Sequence, residues 1–153
     1  MALDTEFLRT LPAGGAVCPC CLRFAKVYRY KITSGMARCL IWLVGQGPKY
    51  ADVGGWVHLP EKAPRHVLTS NSIGKLKYWG LVEAKFNEDS RKKESGIWRP
   101  TQDGLRFVRR QQTVHSHAVV YNDELLRFDG EGIEIKTALK NPFDYEKLMA
   151  WVD

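Results

Sequence analysis

The sequence predicts an α+β protein, and three observations carry that expectation. Apolar residues recur at helical spacing over 34–44, again from about 61 to 79, and after Thr101. Beyond Gln111 the period changes to two, as in the strands of a small sheet. Glycine, proline and clustered polar residues separate these stretches, so the elements should be short.

In chain order, residues 4–11 read as a short helix stopped by Pro12 and the Gly14-Gly15 pair. Ala25–Ile32 alternates bulky and basic residues, with Val27 and Arg29 on one face and Tyr28 and Tyr30 on the other, which predicts an exposed strand. Thr33 or Ser34 caps a helix over 34–44, in which Met36, Leu40, Ile41, Leu43 and Val44 recur until Gly45, Gly47 and Pro48 end it. Tyr50–Leu59 reads as a loop entering a short strand closed by Pro60. Glu61–Val67 predicts a short helix, and Ser70 or Asn71 caps a second that carries Ile73, Leu76 and Trp79 to Gly80. Leu81–Lys85 reads as extended, the charged run 87–94 as a hairpin tip and Gly96–Arg99 as a returning strand. Thr101 then caps a helix bearing Leu105, Phe107 and Val108. Val114–Tyr121, Leu125–Phe128 and Ile133–Thr137 predict a three-stranded meander, with turns at Asn122-Asp123 and Asp129–Gly132. An amphipathic helix over 145–152 follows.

Bulk properties narrow the function classes. With 153 residues, 44% hydrophobic, the chain can bury an ordinary core, and five Trp, six Tyr and six Phe supply it with large apolar surface. No run approaches the roughly 20 apolar residues of a membrane span. Asp4 and Glu6 stand where a signal peptide would carry basic residues, so the expectation is a soluble cytoplasmic protein in a reducing compartment. Residues 122–153 hold eight acidic and four basic side chains, leaving 19 basic and nine acidic in residues 1–121. A basic body beside an acidic segment suits a polyanion-binding surface joined to a segment that faces a different partner.

The stretch from Leu68 to Val108, LTSNSIGKLKYWGLVEAKFNEDSRKKESGIWRPTQDGLRFV, resembles the second half of a winged helix-turn-helix of bacterial or phage type. A helix ending in Trp79-Gly80-Leu81-Val82 is similar to the junction between recognition helix and first wing strand. A polar tip follows, and Ile97–Thr101 with Gly104 matches the second wing strand entering a closing helix. The resemblance implies three segments: an N-terminal arm (1–32), a winged-helix domain (33–112), and an acidic meander with terminal helix (113–153). It further implies binding to double-stranded DNA in a phage-encoded or prophage-encoded regulator or accessory factor of a bacterial host's cytoplasm. Ser70, Asn71, Ser72, Lys75 and Lys77 would then be groove contacts, and Arg91, Lys92 and Lys93 wing contacts to phosphate. Tyr78 and Trp79 are assigned to the core. Regulators of this kind often read two half-sites, which makes a homodimer through the terminal elements an expectation too.

The cysteines raise a second chemistry. Cys18-Pro19-Cys20-Cys21 contains a CxxC knuckle, so Cys18 and Cys21 can offer two thiolates to a structural Zn²⁺. Two further ligands are needed. Cys20 or His58 would have to supply them, because Cys39 falls on an apolar helical stripe and reads as a buried core thiol. His115 and His117 share one face of a predicted strand without a third ligand and are read as surface or packing residues, while His66 has no identifiable partner. No phosphate-binding glycine loop, paired carboxylates or nucleophile with a base is present, so the expectation is a non-enzyme with no certain cofactor. The alternative to DNA binding is a protein-interaction module that uses residues 113–153 on a winged-helix scaffold.

Overall fold

The computed structural model describes residues 16–17, 24–25, 27–68, 72–85, 96–121, 124–139 and 145–149. The chain divides into two units, one formed by 1–31 with 115–132, the other by 32–114 with 133–153. The fold is α+β. Against the three-segment expectation, residues 113–153 part at 132/133, and residues 1–31 share a unit with 115–132.

The first unit is built from strands. Short strands β1 (Ala16–Val17) and β2 (Phe24–Ala25) pair antiparallel. A separate sheet has the order β3 (Tyr28–Lys31), β7 (Val114–Tyr121), β8 (Glu124–Ile133). The antiparallel register pairs Tyr28 with Val120 and Tyr30 with Ala118. This keeps the two tyrosines on one face, where their rings stack at 5.8 Å, as their spacing predicts. Central β7 buries Ala118, Val119 and Val120.

Two expectations fail here for local reasons. The Asp129–Gly132 run is not a turn but part of β8, in which Gly130 takes a φ of +79 that glycine adopts at little cost. The third strand at 133–137 does not exist either. Ile135, Ala138 and Leu139 recur at helical spacing and are all buried, so the segment forms helix α6 (Ile135–Leu139). The third strand of the sheet is instead β3, from far earlier in the chain.

The second unit is organised around α1 (Ser34–Gly45). Thr33 caps it by accepting a hydrogen bond from the Met36 N–H at 3.1 Å. Met36, Ala37 and every residue from Cys39 to Val44 are buried, which leaves almost no solvent face. A helix apolar on nearly all sides must be covered on all sides. The covering elements are α4 (Ser72–Leu76), α5 (Gln102–Val108), α6, α7 (Tyr145–Met149) and β6 (Ile97–Pro100). The Tyr145 hydroxyl donates to the Val108 carbonyl at 2.8 Å and so ties α7 to the end of α5.

Between α1 and α4 lie a 3-10 turn (Gly47–Lys49), β4 (Val57–His58), α2 (Leu59–Lys62) and α3 (Arg65–Leu68). The single helix expected over 61–67 is two pieces. Pro64 lacks the N–H a continuous helix would use, and the residue before it, Ala63, is extended at ψ 145. Strands β4, β6 and β5 (Val82–Ala84) form an antiparallel sheet in the order β4-β6-β5. Val57 and Trp98 pair across it on the buried side, while Glu83 and Arg99 pair directly opposite one another and form an ion pair.

One junction fixes the angle between these parts. The 3-10 turn Lys77–Trp79 ends at Gly80, whose φ of +72 is open to glycine at little cost. There the Gly80 N–H donates to Lys77 at 3.0 Å and the Leu81 N–H reaches back to Leu76 at 3.4 Å, the bonding of a Schellman stop. The start of α5 then closes on this turn: the Thr101 hydroxyl donates to the Gly80 carbonyl, and the Thr101 N–H donates to Leu81 at 3.0 Å. Thr101 also caps α5 by accepting from the Gly104 N–H at 3.1 Å. Gly104 packs so close that a Cβ there would overlap the Leu81 carbonyl oxygen.

Gly104→Ala is therefore expected to destabilise the protein. Alanine gains about 1 kcal/mol of helix propensity, but overpacking against a backbone atom costs about 1–3 kcal/mol and displaces the Thr101–Leu81 bond as well. The net loss, about 1–2 kcal/mol, is read as a lower urea midpoint at unchanged slope. Gln102→Ala, on the exposed side of the same helix, is the control, and an unshifted midpoint for Gly104→Ala would refute the close approach.

Candidate nucleic-acid interface

The segment 72–79 pairs one buried stripe with one accessible face. Ser72, Leu76 and Trp79, at helical spacing, turn inward with Ile73 and are all buried. Gly74, Lys75, Lys77 and Tyr78 remain half-buried on the accessible side. Two sequence expectations change accordingly. Ser72, proposed as a groove contact, lies on the inward stripe at 5% exposure and cannot present its hydroxyl to a groove. Tyr78, assigned to the core, follows Lys75 by three residues and shares its face; Trp79 is buried as expected.

Lys75 and Lys77 both stay on the accessible side, and the Lys77 ammonium sits 5.3 Å from the centre of the Tyr78 ring. Ser70 and Asn71 lie outside the described residues, as do Arg91, Lys92 and Lys93 between β5 and β6. Cys18, Cys20 and Cys21 also lie outside them. Among the described residues no group of three or more His, Cys, Asp or Glu side chains is placed to hold a metal ion. Cys39 is buried as expected, with its Sγ 4.0 Å from the His66 carbonyl.

Basic residues that the motif reading passed over belong to the same region. Arg65 and Lys62 are exposed on the two short helices that precede α4, and Lys85 is exposed where β5 runs toward residues 86–95. Their signal was present in the sequence as charges flanking the segment 72–79, but a motif centred on one helix does not collect it.

Charge follows the division into units. Residues 1–31 and 115–132 contain six basic and six acidic side chains, whereas 32–114 and 133–153 contain 17 basic and 11 acidic. The whole net charge of +6 thus falls on the helical unit. The acidic segment read from the sequence is shared between the two. Among the described residues no helix is long and apolar enough to cross a membrane.

Histidines in both units are held below the usual imidazole range. Burial lowers His66 on α3, with the Arg38 guanidinium adding to it. Burial also lowers His117 on β7, where Arg29 and Lys31 add and Asp129 opposes. His115 stacks on Phe128 at 5.4 Å, and its Nδ1 lies 3.1 Å from the Gly130 carbonyl. His117 Nδ1 lies 2.7 Å from the Ser116 hydroxyl, so both histidines of this strand have neighbours within the sheet.

Comparison with protein-family models, with curated proteins and with solved structures found no match.

The lowered histidines set a pH dependence. A folded-state pKa below the ordinary 6.5 means that the unfolded chain takes up the proton first, so their contribution is present above pH 6.5 and is lost as pH falls below it. Thermal midpoints should accordingly fall between pH 7.5 and 5.5, and His66→Gln should shrink that fall. An equal fall in the variant would remove His66 from the account.

Proposed function

We propose that the helical unit is a winged helix-turn-helix that binds double-stranded DNA and acts as a transcriptional regulator or accessory factor. The observation that carries this reading is the order of its parts. Helix α1, strand β4, the helices leading to α4, then β5, β6 and closing helix α5 succeed one another with the sheet order β4-β6-β5. That order joins one strand from before the helix pair to a hairpin after it, and leaves the helix 72–79 as the element a major groove about 12 Å wide can admit.

The placement of charge supports the same reading. Lys75 and Lys77 lie on the accessible side of that helix, Arg65 and Lys85 are exposed on neighbouring elements, and the unit carries all of the chain's net positive charge. In this reading Lys75, Lys77 and Tyr78 face the bases or the adjacent backbone. Arg65 and Lys85 meet phosphates, which gives affinity without sequence information. Ser72 holds the helix to the core and takes no part.

Fluorescence anisotropy against random-sequence duplex DNA at two salt concentrations tests it. The native protein should bind more weakly as salt rises. Lys75→Ala/Lys77→Ala should reduce the slope of log K against log salt by about 0.9 for each phosphate contact removed. Absence of binding at low salt, or a slope unchanged in the double variant while circular dichroism shows it folded, would sink the reading.

A further inference from the structure

A second feature of the helical unit is lined by none of residues 72–79. A cavity of about 670 Å³ lies between the C-terminal end of α1, the loop leading to β4, the β5-β6 strands and the start of α5. Its size falls within the roughly 300–1,000 Å³ of small-molecule sites. Leu43, Val57 and Leu105 give it an apolar lining, and Asp52, Glu83 and Arg99 provide its charged groups.

Hydrogen bonds fix the walls in advance of any occupant. One Asp52 carboxylate oxygen accepts from the Gly54 N–H at 2.9 Å and the Trp56 N–H at 3.1 Å. The Asp52 N–H donates to Trp56 at 2.9 Å, and the Gly55 N–H donates to Asp52 at 3.0 Å. The loop is thus a closed Asx-type turn. At its tip Val53 is fully exposed, an apolar side chain that an occupant of the cavity would cover.

Arg99 is tethered on three sides. Its Nε donates to Glu83, its Nη1 donates to the Gly54 carbonyl at 2.9 Å, and the guanidinium stacks 4.1 Å from the centre of the Trp56 ring. Arg99 is one of the residues lining the cavity, and its guanidinium has Trp56 on one face. The opposite face of the guanidinium is a flat cationic plane, of the kind aromatic rings stack on.

The surrounding charges select among aromatic ligands. Glu83 pairs with Arg99 across the sheet, and Asp52 remains as a second carboxylate. An anionic ligand would meet two carboxylates, while a cationic one would lie against a guanidinium. Hydrogen-bond donors, by contrast, find a carboxylate oxygen of Asp52 not used by the turn. We propose that this cavity binds a neutral, flat heteroaromatic molecule carrying N–H donors, stacked on Arg99 with its N–H groups toward Asp52. The site does not depend on the nucleic-acid reading.

Isothermal titration and saturation-transfer NMR on the full chain, without DNA, test the proposal with four probes. Adenine and indole are neutral flat N–H donors, benzoate is a flat anion, and cyclohexanol is neutral without an aromatic face. Adenine or indole should bind with a Kd below about 1 mM, and benzoate and cyclohexanol should bind at least about tenfold more weakly. Arg99→Lys keeps the charge but removes the plane, and Leu105→Trp fills the cavity; each should weaken the favoured probe about tenfold or more. Circular dichroism shows whether each variant folds, and either one suffices if the other does not. Failure of both adenine and indole to bind the native protein overturns the proposal. So does equal binding of benzoate, or a folded Arg99→Lys that binds as tightly as the native chain.

Discussion

The constraint on which the helical unit depends is the burial of α1. From Met36 to Val44 only Arg38 escapes full burial, so the helix needs neighbours in every direction. The unit meets this by drawing on distant parts of the chain, with α4 from the middle, α5 from the end of the hairpin, and α6 and α7 from the last 21 residues. Each covering element hides its own stripe in doing so: Ile73 and Leu76 on α4, Phe107 and Val108 on α5, Ile135, Ala138 and Leu139 on α6, Leu148 on α7. The accessible face of the segment 72–79 follows from this arrangement. Its inward stripe is committed to α1, which leaves Lys75, Lys77 and Tyr78 on the accessible side.

This accounts for what the sequence made legible and what it did not. Local signals translated well. The Thr33 and Thr101 caps, the Gly80 stop, the Cys39 position on an apolar stripe and the Tyr28/Tyr30 face all depend on residues within one turn or one strand of each other. Signals with two local solutions did not. Ile133-Glu134-Ile135-Lys136-Thr137 alternates like a strand, yet Ile135, Ala138 and Leu139 also recur like a helix, and the need to cover α1 decides in favour of the helix. Once 135–139 is spent on α1, β7 takes its second neighbour from β3, about ninety residues earlier in the chain. No periodicity within either segment announces a partner that far away.

The candidate interface was legible to a similar extent. The helix and its lysines could be read from spacing, but Ser72 was misassigned because a serine near a helix start is a good cap or contact by composition alone. Its burial is a property of the stripe it shares with Leu76 and Trp79. Arg65 and Lys85 were passed over for the opposite reason, since their relevance comes from the elements beside them rather than from a motif.

The junction of Gly80, Leu81, Thr101 and Gly104 adds a mechanical consequence. Thr101 bonds the turn that ends the segment 72–79, caps α5 and borders the cavity, and the Glu83–Arg99 pair, also bordering the cavity, joins the two strands that flank residues 86–95. The elements of the proposed DNA surface therefore do not sit on independent springs. A shift of β6 large enough to break the Glu83–Arg99 register would act on Thr101, two residues along the same strand path, and through it on Gly80. Packing this tight transmits displacement rather than absorbing it, because Gly104 leaves no space between α5 and the Leu81 backbone. An occupant held against Arg99 would thus bear on the same few hydrogen bonds that set the angle of the helix 72–79. That is the physical route by which a small molecule and a DNA surface in this unit would influence one another.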